Sequence, residues 1–561
     1  MNWTDAQSAT NIVQPHKHGH AKDFSPVNQW NSLTNNLNDS QPLYENSTSR
    51  PFSYIWRQFE QAESNDISEF CNDRYGIGIL DLWKGHLESA CKPAGTRQID
   101  STSPEESASN TNTEVSPMAG SIKPAEFAMM CSTVHLDIPE NLCNTRNLLL
   151  NVEKLPQTPL NDTLDMFLSP GSLTANCQLK SFVHNVDQWG FGAVRWLQSG
   201  LANETVTVNQ VHHNTTCDAW VESDLYMVSR YDTGNVYHIH QDLLQAFIGL
   251  AALDMNVETT DLVFLDSDDR GIAAARSLWN NLFVGKPHNR PAKPIQNIRQ
   301  VIHDVQRRTS SPVKNVCFQS ATFGFHAGVT LFSREKARST NCKDSIMLKS
   351  FVDWVLYQLD LPLNFDPYAI PGPSFGLDSS KLITPPNTER PSVFTTQKTD
   401  LSKKPLVITY LSRNPTSQIL SEHQDRVIHN EPQFLEQVQR TLELHFEHKK
   451  YDRGLVFRRI NPADIPTMEE QIAMARESDV VFGPHGAALI YTSYIPPYGG
   501  VVELQHFNRR GNYQFANIAA LTGPKIYRRI TILDPLQNFQ IVGIEDLLME
   551  VVDQVMKKMD G

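Results

Sequence analysis

A chain of 561 residues exceeds what one hydrophobic core ordinarily holds, so two or three domains are expected. Hydrophobic residues make up 40%, enough for globular cores. The net charge of −13 argues against a general nucleic-acid binder, which needs a basic face to neutralise phosphates; local basic pockets remain compatible with it.

Taken in chain order, residues 1–50 are polar and without period, and are read as a disordered tail. His16, His18 and His20 sit in that tail and are taken as incidental. Residues 51–98 carry Phe52, Tyr54, Trp56, Phe59, Phe70, Tyr75 and Trp83, which imply a small folded segment. Residues 99–125 are rich in Ser, Thr, Glu and Asn and read as a linker. A second folded region spans 126–362. Within it, 226–228 reads as a strand and 231–236 as a turn, and Tyr237 to Asp242 leads into an apolar helix over roughly 243–255, too short to cross a bilayer. Residues 261–265 form another strand, 317–329 a strand and loop, and 343–358 an amphipathic helix. Residues 363–402, rich in Pro, Ser and Thr, read as an interdomain connection of the kind that suits a hinge over a cleft.

Residues 403–561 alternate strand and helix. Strands are expected at 405–411, 454–459, 479–482, 501–504 and 526–532, and helices at 431–445, 467–477, 513–521 and 544–559. That alternation implies a mainly parallel sheet with both faces covered. At its centre, the strand closed by Gly483-Pro484 runs into His485-Gly486-Ala487-Ala488, and the apolar run 489–495 is read as the first turns of a helix. A strand, a small-residue turn and a helix start place a ligand crevice at the carboxyl end of the strands, where backbone N–H groups favour an anion.

Eight cysteines, none beyond Cys342, show no CxxC spacing, so zinc is poorly supported; they suit either disulfides in an oxidising compartment or buried thiols. The Asn-x-Ser/Thr sequons opened by Asn2, Asn38, Asn46, Asn161, Asn203 and Asn214 permit a secretory route. Residues 1–29 show no signal sequence.

Arg413 follows a strand and Arg426 precedes the next helix, so both are placed near the His485 turn, where guanidinium forks match phosphate oxygens. With the turn they suggest a diphosphate site, and neither GxxxxGKS/T nor GxGxxG after a strand occurs, which weakens ATPase and dinucleotide readings. Asp266 and Asp268, at a strand end, suit a divalent cation bridging phosphates, Mn²⁺ or Mg²⁺; a surface turn is the alternative. His238 and His240 lie either on one face of a strand as metal ligands or in the core, and His238 is alternatively a general base with Asp242 holding its tautomer. His485 is placed to donate to a phosphate or a developing leaving-group charge.

These residues carry a resemblance. Asp479-Val-Val-Phe-Gly-Pro-His-Gly-Ala-Ala-Leu, the following Pro-Pro break and Val501-Val-Glu-Leu-Gln resemble the catalytic-domain signature of glycosyltransferase family 61. Arg413, Arg426-Val-Ile-His-Asn-Glu and Met468-Glu-Glu-Gln-Ile fall in the family's order before it, and Asn235-Val-Tyr-His-Ile-His-Gln-Asp resembles its upstream Asn-x-Tyr-His segment. The family's usual turn is His-Gly-Ala-Gly, from which Ala488 departs. The resemblance covers roughly 220–561 and implies an α/β, GT-B-like pair of Rossmann-type domains facing a cleft, with an extra amino-terminal segment. It implies a UDP-sugar donor carrying GlcNAc or xylose, inverting transfer to a hydroxyl of a glycoprotein or polysaccharide acceptor, and a lumenal setting in the endoplasmic reticulum or Golgi. Donor binding falls to Arg413, Arg426, His485, Gly486, Ala487, Ala488 and Glu503, and the base to His238 or Asp242. The alternative is a protein of this fold that binds nucleotide sugar or glycan without transferring.

Overall fold

A computed structural model describes residues 50–55, 69–93, 128–135, 139–155, 168–174, 177–179, 193–201, 217–265, 273–284, 294–309, 312–325, 331–332, 342, 344–363, 404–413, 428, 430–506, 512–523, 525–532 and 544–560. The chain divides into Met1–Ser47, which lies outside those residues, and a unit Thr48–Gly561. Also outside them are Asp266, Asp268 and Arg426, all four sequons at Asn46, Asn161, Asn203 and Asn214, and the connection expected at 363–402 beyond its first residue.

The carboxyl-terminal lobe is a five-stranded, all-parallel sheet. Its strands are β11 (Leu406–Leu411), β12 (Leu455–Ile460), β13 (Val480–Pro484), β14 (Gly500–His506) and β15 (Ile526–Ile532), in the spatial order β12-β11-β13-β14-β15. Helices α8 (Glu431–Lys449) and α11 (Ile544–Asp560) pack on one face through Phe434, Val438, Leu442, Leu548, Val552 and Val555. Helices α9 (Met468–Glu477) and α10 (Gln514–Leu521) and the 3₁₀ segment Ala487–Ser493 cover the other. Both faces being covered explains why β13 is buried at every position and reads as an unbroken apolar run. The order 2-1-3-4-5 is doubly wound, and its switch point falls between β11 and β13.

The first lobe has an eight-stranded mixed sheet. Its strands are β1 (Glu88–Ser89), β3 (Ala128–His135), β4 (Pro139–Asn151), β5 (Leu173–Thr174), β7 (Ala219–Val228), β8 (Thr260–Phe264), β9 (Gln296–Asn297) and β10 (Asn315–Phe323). The order is β1-β3-β4-β10-β7-β8-β9, with β5 paired to β4. Strands β10, β7, β8 and β9 are parallel; β4, β3 and β1 extend them antiparallel. Two further strands, β2 (Cys91–Pro93) and β6 (Cys177–Leu179), pair with each other. Helices α3 (Ala193–Gly200) and α6 (Ile298–Arg308) pack on one face of the large sheet. On the other lie α1 (Glu69–Tyr75), α2 (Gly78–Gly85), α4 (Val236–Ala252), α5 (Ala273–Phe283) and α7 (Ile346–Gln358).

His238 and His240 correct the strand expectation, because both stand inside α4. Asn235 caps that helix, its side chain accepting the Tyr237 N–H at 3.0 Å, and apolar residues at helical spacing carry it to Ala252. Two positions apart on a helix, the imidazoles point in different directions and do not share a face.

The lobes are joined by a seam more than by a hinge. One apolar cluster runs from Leu243, Phe247 and Trp354 of the first lobe to Met468, Leu489, Tyr494 and Phe515 of the second. Backbone bonds cross the seam: the amides of Asp344 and Ser345 donate to the carbonyls of Ala520 and Leu521 at 3.1 and 2.9 Å. A seam this apolar holds the lobes in one relative position. Disulfides link Cys71 to Cys342, Cys131 to Cys143 and Cys217 to Cys317, which fits a lumenal or secreted protein. Among the described residues no helix is long and apolar enough to cross a membrane.

Candidate functional site

The switch point gathers the residues that the sequence singled out. Gly483 and Pro484 end β13, His485 follows, and its amide donates to the Leu504 carbonyl of β14 at 2.8 Å. Arg413 leaves the carboxyl end of β11 two residues after Leu411. Its guanidinium lies against Gly486, where a Cβ would stand 2.7 Å from Nη1. Gly486 has extended backbone (φ 173°), so the need here is for space beside the guanidinium and not for an unusual dihedral. Ala487 and Ala488, half-buried, open a 3₁₀ segment instead of the expected α-helix.

The turn has a buried support. Glu503 of β14 is fully buried, and its carboxylate takes His485 Nδ1 on one oxygen and the Tyr527 hydroxyl on the other. Glu503 therefore acts on the crevice by holding the imidazole, with Nε2 on the ring edge away from the carboxylate. Phe515 of α10 meets the His485 ring edge-on at 5.2 Å.

Through Phe515 the first lobe reaches this turn. Tyr237 stands 5.9 Å from Phe515 and 5.5 Å from His238, both edge-on, so His238 and His485 are joined by two intervening rings. His238 Nδ1 is 2.6 Å from Gln241 Oε1, and Tyr231 packs edge-on against the ring at 4.8 Å. The buried Asp242 carboxylate accepts the Tyr231 amide at 3.2 and 3.3 Å, fixing the β7–α4 loop beside His238. His240 points into the seam against Tyr491 and Tyr494, and burial pushes its imidazole down to about 4. The phenol of Tyr237 is pushed up, also by burial.

A further group at the strand ends was not singled out by the sequence. Glu431, at the start of α8, accepts from Tyr410 Oη at 3.0 Å and Ser412 Oγ at 2.7 Å, and pairs with Arg459 Nη2 at 2.5 Å. This buried carboxylate ties β11 to β12 immediately before Arg413. Among the described residues no three His, Cys, Asp or Glu side chains cluster as a metal site would require.

The Glycosyltransferase 61 family model matches residues 372–502. The chain belongs to glycosyltransferase family 61. The matched stretch contains β11, β12 and β13 with the His485 turn, and ends within β14. No curated protein matches the chain. Family 61 membership suggests glycosyltransferase activity with a glycan or glycoprotein acceptor. The first lobe, with His238 and Asp242, lies outside the matched residues.

Proposed function

We propose that the protein is an inverting glycosyltransferase moving a sugar, GlcNAc or xylose, from a UDP-sugar to an acceptor hydroxyl. The observation that carries this reading is the Arg413 guanidinium packed on Gly486 at the switch point of a doubly wound sheet, inside the stretch matched by the family. A single displacement needs its leaving diphosphate stabilised and its acceptor deprotonated. Arg413 and His485, with Arg426 from the β11–α8 connection, take the first task, and Glu503 holds His485 for it. His238, across the Tyr237–Phe515 contact, takes the second, while Asp242 holds the loop beside it.

The test is a panel of UDP-sugars screened by thermal shift, with and without Mn²⁺, followed by donor hydrolysis in the parent chain and in Arg413→Ala. One donor that raises the melting temperature and slowly releases UDP, with release lost in the variant, is the expected result. The Mn²⁺ arm reports whether Asp266 and Asp268 hold a cation. Donor binding with no turnover, and no change on His238 substitution, would instead establish a binding protein that has lost transfer.

A further inference from the structure

At the β9 edge of the first sheet lies a concavity of about 550 Å³, within the size range of small-ligand sites. Its wall carries Arg276, Arg299, His303 and Arg307, with Gln296 and Asp304. Three of these cations come from the outward face of α6, whose Ile298, Val301, Ile302 and Val305 are buried against the sheet. A solvated helix face would account for those three alone. It does not account for Arg276, which comes from α5 on the opposite face of the sheet and reaches the same wall around the sheet edge.

Asp304 is the single acidic side chain of the lining, and it is already engaged. It accepts from Gln296 Nε2 at 2.6 Å and pairs with Arg307, and these hydrogen bonds hold its carboxyl below the usual range. Three guanidinium groups against one carboxylate leave a positive wall on a chain of net charge −13. Guanidinium forks match the oxygens of a tetrahedral anion, and several of them suit a double charge.

We infer that this concavity binds a tetrahedral dianion, the phosphate or sulfate group of a ligand. Its position bears on function. Asn297 pairs with Phe264 and Phe264 with Val228, so the concavity opens two strands away from the β7–α4 loop that carries Tyr231 and leads to His238, at the same carboxyl end of the sheet. In a transferase it would grip a charged group on the acceptor; that part rests on the function proposed above, whereas anion binding does not.

The experiment titrates the full chain with inorganic phosphate, inorganic sulfate and acetate at constant ionic strength, using calorimetry. The parent is compared with an Arg276→Gln/Arg299→Gln variant, both positions being exposed, and with Arg413→Ala. Phosphate or sulfate should bind the parent and Arg413→Ala alike, and about tenfold or more weaker in the double variant. The stronger of the two anions identifies the group. Equal binding in the double variant, loss of all binding in Arg413→Ala, or equal binding of acetate would overturn the site. Phosphate binding in a protein that transfers nothing would support the site and remove only its acceptor role.

Discussion

Acidification should loosen the seam between the lobes through His240. This side chain is fully buried on α4, with Nδ1 2.7 Å from the Val236 carbonyl and the rings of Tyr491 and Tyr494 5.5 and 5.7 Å away. Its Nε2 has no hydrogen-bond partner among the described residues. Burial lowers the imidazole from 6.5 to about 4, while the unfolded chain keeps the ordinary value. Between those values the unfolded state binds a proton that the native state refuses. Stability is therefore intact above about 6.5 and falls with pH until about 4, where the folded protein also protonates. A gap of about two and a half pH units, at about 1.36 kcal/mol each, amounts to about 3 kcal/mol. Denaturant midpoints for the parent and for His240→Phe, measured between about pH 7.5 and pH 4.5, isolate this group because other titrations are common to both chains. The parent should lose most of that 3 kcal/mol in excess of the variant. Parallel stability curves would refute the reasoning.

Three further outcomes follow from the same geometry. Gly486→Ala places a methyl group where Arg413 Nη1 now lies, 2.7 Å from it, and the end of a flexible side chain gives way before the fold does. Initial rates should fall about a hundredfold, with stability altered by less than about 0.5 kcal/mol; an unchanged rate would remove that contact from the mechanism. Glu503→Gln keeps the shape but takes the carboxylate from His485 and Tyr527, and should lower kcat about a hundredfold with donor affinity retained, as read from a kcat against KM comparison. Replacing Cys71 and Cys342 by Ser opens a link across 271 positions and should cost about 2–5 kcal/mol in a melting experiment, more than the same change at Cys131 and Cys143, which are 12 apart.

The second lobe was legible in the sequence because its strands are short β-branched runs fenced by glycine, proline and amphipathic helices. Elements β11 to β15 lie within one or two residues of their expected bounds. The first lobe was harder. Strand β4 carries Asn144 and Thr145 in the middle of a sheet, which reads as loop. They are tolerated because Asn144 Nδ2 donates to Thr322 Oγ1 at 2.8 Å and Thr145 Oγ1 to the Ala321 carbonyl at 2.9 Å, partners far along the chain. His238 and His240 looked like strand residues because Tyr237 to His240 alternates, and the capping Asn235 decided for a helix. Within the site, Arg413, His485 and the turn could be read from residue type and order. The supports could not. Tyr527 meets Glu503 across adjacent strands, and Tyr237 meets Phe515 across two lobes, and neither pairing leaves a mark in linear spacing.

The seam also limits how this enzyme can be taken apart. Residues 404–561 look like a self-contained nucleotide-binding module, yet Met468, Ile472, Leu489, Ile490, Tyr494 and Phe515 are shielded within a cluster that α4, α5 and α7 complete. Produced alone, that fragment would show water a continuous greasy face and would be expected to aggregate. A chimera that lends this lobe to a different acceptor lobe would have to carry the matching helix surfaces with it. The two halves are thus units of sequence, but a single unit of inheritance and of engineering.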